Sequence, residues 1–234
     1  MAFFLPSFRA SLLGIGRHHC HRVVSHCPNK KYKYSDDARG GSPLFLWLPE
    51  DKDKPAPPLI LIHPTEDSIT VSSPQDVTEA VENHYHLSHD SQQFVGGMGE
   101  SDPGVWFACS TTDPLHHWRL IQESIRTVKE FRHGIPFGIH TSGVHLPKDL
   151  PPLAELGLDR VQVALLAANP KDYASATGLS DAEAQKCFGQ VCGFCVTVAE
   201  TGFPFEVGVL QSYASPARDL AVSLGAVDVH VWKN

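Results

Sequence analysis

From Val105 onward, apolar and polar positions come in blocks that fit strands and helices in turn. Residues 105–109 are a short apolar run, followed by polar Ser110-Thr111-Thr112-Asp113 and then Pro114. Leu120, Ile121, Ile125 and Val128 recur three or four apart, which predicts a helix over 115–131, broken by Gly134 and Pro136. A second apolar run, 137–139, leads into Thr141-Ser142-Gly143. A short helix is predicted over 150–156, closed by Gly157, and a third strand over 161–167. This order predicts parallel βαβ units with right-handed crossovers. Functional loops in such folds sit at the carboxyl ends of the strands, here 110–113, 141–143 and 166–169.

The pattern continues on both sides. Pro170 to Tyr173 reads as a helix start, and Ser180 with Glu183 forms an S-x-x-E capping box opening a helix to about Glu200. Thr201-Gly202 ends that helix. A strand over 205–210, a helix over 216–224 before Gly225 and a strand over 227–231 complete the series. Upstream, 44–48 and 59–62 read as strands, and 73–83 as a helix with Ser73 as N-cap and Pro74 at its first position. Five to seven parallel strands with intervening helices predict an α/β fold, a partial (βα) TIM-like barrel rather than a flat doubly wound sheet. The barrel core is expected over 105–234. Residues 35–104 are expected to hold a polar linker, the first strand and a long irregular insertion that includes the Pro-rich loop 49–58.

Charge divides the chain unevenly. Arg9, Arg17, Arg22, Lys30, Lys31 and Lys33 all precede Asp36, the first of 26 acidic residues, so the remainder is strongly acidic. That balance argues against nucleic-acid binding, which needs clustered Lys and Arg. The basic, acid-free residues 1–34 read as an organelle transit peptide or disordered leader, for mitochondrion or plastid. No apolar run approaches the length of a membrane span. Six cysteines without a secretory pattern argue against a disulfide scaffold.

Several groups could carry chemistry. His18, His19, Cys20, His21, His26 and Cys27 crowd together in the leader, and His84, His86 and His89 form an H-x-H-x2-H run. The first group reads as part of a cleaved or disordered leader and the second as a polar loop, before either reads as a metal site. Cys187, Cys192 and Cys195 have the C-x4-C-x2-C spacing of ferredoxin ligands. Cys187 and Cys195 share one helical face with Val191, Phe194 and Val198, so the core reading is preferred. Cys109 ends a strand with no nearby base and reads as a core thiol. Asp113 is the one acid at a strand end in this stretch; it could bind an amine, act as a base, or cap the next helix.

Four segments, WFACSTTDPL, FGIHTSG, LGLDRVQVALLAANPKDY and LAVSLGAVDVHVW, resemble in order the strands of the radical SAM barrel. The likeness covers about 105–234 and is nearest the small branch linked to TatD-type proteins. That branch carries a GxGEP-like turn, a TNG turn, a strand of the form LDxVxVSLNAxxxxxY and an ending near LGAxFRVRxY. The resemblance implies a [4Fe-4S] cluster on C-x3-C-x2-C after the first strand and S-adenosylmethionine at the strand ends. It assigns the methionine end of that cofactor to Ser110, Thr111, Thr112 and Asp113, and a further contact to Thr141, Ser142 and Gly143. No cysteine lies between Cys27 and Cys109, and His63 alone cannot replace three thiolates. Threonines stand where the family has glycine, and Ala164 and Leu166 where it has polar groups.

The expectation is therefore a barrel that has lost its cluster and serves as a scaffold or binding subunit. No cofactor is expected, S-adenosylmethionine being possible and [4Fe-4S] not. An organellar protein partner would dock on the variable segment 49–104, near Trp106. Two alternatives stand beside it. One is an enzyme using Asp113, Ser110 and Thr141, with or without a metal from the histidine loop. The other is a cluster held by Cys187, Cys192 and Cys195.

Overall fold

Seven strands, all parallel, build one open sheet in the computed structural model, which describes residues 43–51, 53, 69–86, 104–109 and 112–233. They are β1 (Leu44–Trp47), β2 (Ile69–Thr70), β3 (Val105–Ala108), β4 (Phe137–Thr141), β5 (Arg160–Leu166), β6 (Phe205–Leu210) and β7 (Asp228–Trp232). Their order in the sheet is β2-β1-β3-β4-β5-β6-β7. The helices are α1 (Pro74–His86), α2 (Trp118–Phe131), α3 (Pro170–Thr177), α4 (Asp181–Glu200) and α5 (Ala214–Ser223). From β3 on, each strand lies beside its predecessor, so right-handed crossovers put the intervening helices on one face. This is the α/β partial barrel that the hydrophobic pattern predicts, with the strand count at the top of the expected range.

Local chemistry sets most boundaries. Ser73 caps α1 by accepting the Asp76 amide at 3.2 Å, while the Asp76 carboxylate accepts the Ser73 amide at 2.9 Å. The Ser180–Glu183 capping box opens α4. Three expectations shift. The helix predicted from Leu115 begins as a 3-10 turn, Pro114–His117, because Asp113 caps the Leu115 amide and Pro114 has no N–H to give. The predicted helix over 150–156 shrinks to a 3-10 turn, Leu153–Leu156, since Pro151 and Pro152 remove two donors. Pro216 lies inside the first turn of α5 rather than at its start, where N–H groups have no intrahelical partner to lose. The strand expected over 59–62 and the leader 1–34 lie outside the described residues.

Register divides the sheet into two unlike faces. Leu46, Phe107, Ile139, Val161 and Phe205 lie in one row across five strands. With Val105, Phe137, Val163 and Val207 they are fully buried. The helices cover this outer face: Ile121, Ile125 and Val128 of α2 pack here, and Lys129 Nζ lies 5.8 Å above the Phe137 ring. Each of those apolar side chains contributes roughly 1.5–3 kcal/mol by leaving water. The alternate positions form the inner face: Phe45, Trp106, Gly138 and Arg160 in one row, His140, Gln162, Glu206 and Asp228 in the next. Ala164, Gly208 and His230 follow, then Leu210 and Trp232.

Candidate functional site

At the carboxyl ends of β3 and β4 the chain ties a polar knot around Asp113. Its carboxylate, 2% exposed, accepts the Ser142 amide and the Ser142 hydroxyl at 2.7 Å each, and the Leu115 amide at 3.1 Å. The Thr141 hydroxyl donates to both oxygens, at 2.9 and 2.8 Å. A carboxylate offers about four acceptor sites, so these donors fill it. The Thr141 and Ser142 oxygens in turn accept the amides of Gly143 and Val144, at 3.0 and 3.2 Å. Gly143 has φ +68°, and a Cβ there would press on the Phe194 ring of α4. Thr112 is buried beside the knot, while Ser110 and Thr111 lie outside the described residues. Asp113, Thr141, Ser142 and Gly143 therefore meet, but they satisfy one another.

The neighbouring strand end is strained. Leu166 adopts φ +67° at a register shift in β5, and His145 has φ +56° after the Gly143 turn. A buried leucine in the left-handed region is a costly conformation, on the order of 1–3 kcal/mol. Leu166 turns its apolar side chain into the core there.

A [4Fe-4S] cluster does not fit the described residues. The end of β1 continues as Leu48-Pro49-Glu50-Asp51, which offers no thiol. Cys109 is close by but stands alone, with its sulfur 3.0 Å from Thr112 Oγ1 and 3.8 Å from the Leu48 and Pro49 carbonyl oxygens. Cys187 and Cys195 are buried on the sheet-facing side of α4 with Ala184, Val191 and Val198, and Cys192 is half-buried. Burial raises all three thiol pKa values, that of Cys195 to about 12. The amino group of S-adenosylmethionine would likewise meet a carboxylate whose acceptor sites are taken. His84 and His86 fall in the last turn of α1, and His89 lies outside the described residues. Among the described residues no group of three or more His, Cys, Asp or Glu side chains could hold a metal.

The inner face carries polar and aromatic groups that motif reading missed. The Trp106 ring lies across Gly138, where a Cβ would come within 2.5 Å of it. The Trp232 ring lies across Gly208 in the same way. His140 packs against Trp106 at 4.6 Å and Phe45 at 5.8 Å between ring centroids. Burial first, then the His230 charge, depress the His140 pKa to about 3 against a hydrogen bond with Gln162. His230 Nε2 lies 2.7 Å from Glu206 Oε2, and that bond raises the His230 pKa. The available signal was period-two alternation: Gln162, Glu206, His230 and Trp232 occupy every second place in otherwise apolar strands.

No protein-family model matches the chain, and no curated protein matches its sequence. Among solved structures it is similar to SuiB of Streptococcus suis, with TM-score 0.50 and 12% identity over 82% of this chain and 40% of that one. Coproporphyrinogen III oxidase (HemN) of Escherichia coli, described as a radical SAM enzyme, aligns with TM-score 0.43 and 10% identity over 83% of this chain and 44% of its own. The chain spans less than half the length of either. The likeness to SuiB shows the fold alone, an α/β partial barrel.

Proposed function

We propose that this chain is a radical SAM-type barrel without a [4Fe-4S] cluster of its own, acting as a binding or scaffold subunit. The observation that carries the reading is the end of β1, where Leu48-Pro49-Glu50-Asp51 stands in place of cluster thiols. Asp113 supports it: the strand-end carboxylate braces two loops and has no acceptor left for an amine. The polar, aromatic inner face is the part of the barrel able to receive a small molecule. A protein partner would meet the segment 49–104, which flanks β1 and β3.

Anaerobic reconstitution of the full chain with iron and sulfide, followed by reductant and S-adenosylmethionine, tests this. The expected result is no stoichiometric four-iron signal and no 5′-deoxyadenosine. Reductive cleavage of the cofactor would overturn the reading in favour of an active radical enzyme with an atypical site.

A further inference from the structure

We draw no further inference here: the strongest candidate, the cluster of His116, His145 and Lys186 on the rim where the loop after β4 meets α4, is brought together only by the lowered pKa of His145, and nothing among the described residues shows a ligand that it would hold.

Discussion

Asp113 Oδ2 accepts both the backbone amide and the side-chain hydroxyl of Ser142, each at 2.7 Å. The two stand 29 positions apart, and the loops that follow β3 and β4 meet through them. A charged acceptor with several short donors, out of water, stabilises by fixing loops that would otherwise leave buried amides unpaired. The same contacts take the carboxylate out of reach of a substrate. One residue thus brings two strand ends together and closes the position where the sequence suggested chemistry.

Asp113→Asn should lower stability by about 3 kcal/mol, because an amide nitrogen must then face donors that have no other acceptor. Thr141→Val should cost less, roughly 1–2 kcal/mol, since the carboxylate keeps the Ser142 donors. Urea unfolding of both variants measures the order. An Asp113→Asn midpoint equal to that of the parent would mean the carboxylate is free in solution and available to a ligand.

Two glycines that look alike should respond differently to alanine. At Gly138 the new methyl meets Trp106, which is buried and packed on His140, so the ring cannot withdraw. Gly138→Ala should cost about 2–3 kcal/mol through overpacking. At Gly208 the methyl meets the outer ring atoms of Trp232 on half-exposed β7, and that side chain can swing away. Gly208→Ala should cost about 1 kcal/mol or less and shift Trp232 emission to the red. Comparable losses of stability with no spectral change at Gly208 would contradict the geometry.

The frame was legible because outer-face residues repeat at strand and helix periods strong enough to survive without motifs. Leu120, Ile121, Ile125 and Val128 announced α2, and Ser180 with Glu183 announced the start of α4. The site was less legible for two physical reasons. The Leu115 amide that Asp113 caps is local, but its other donors come from residues 28 and 29 positions away, so that part of its role depends on a strand pairing that no local pattern specifies. The inner face is marked only by single polar residues on successive strands. They become one surface only once the register puts His140, Gln162, Glu206 and Asp228 in a row. Reading for motifs, which are contiguous, passes over such a surface.

Acid should unfold this protein partly through His140. Burial, with the charge of His230, holds its folded pKa near 3, below the ordinary value of 6.5. The unfolded chain therefore takes up a proton that the folded chain refuses. Stability from this group is complete above pH 6.5 and is lost progressively as pH falls toward 3. The loss by pH 4.5 has a ceiling of ~3 kcal/mol, since the ring keeps some solvent contact. His230 works in the other direction. Its raised pKa gives stability that is full below the unfolded value and lost as pH rises through the folded one. Urea midpoints at pH 7.5 and 4.5 should fall less in His140→Leu than in the parent. An identical drop in both would show that the folded protein protonates this ring freely.

The thiols of α4 provide the sharpest separation between a packing role and a ligand role. Cys195 is fully buried and its pKa is pushed up to about 12, so at pH 8 its reactive thiolate is scarce as well as inaccessible. Cys192, half-buried with a smaller rise, should label slowly, and Cys195 only when the protein opens. Iodoacetamide labelling at pH 8 followed by peptide mass spectrometry should find Cys195 unmodified in native protein and modified in denaturant. Cys195→Ala should lower stability by roughly 1–2 kcal/mol through the lost sulfur contacts. Cys192→Ser should change it little, because that side chain already reaches the surface of the core. A ligand trio behaves otherwise: all three thiols would label together in the metal-free protein and be protected together by iron. That joint protection would return α4 to consideration as a cluster site.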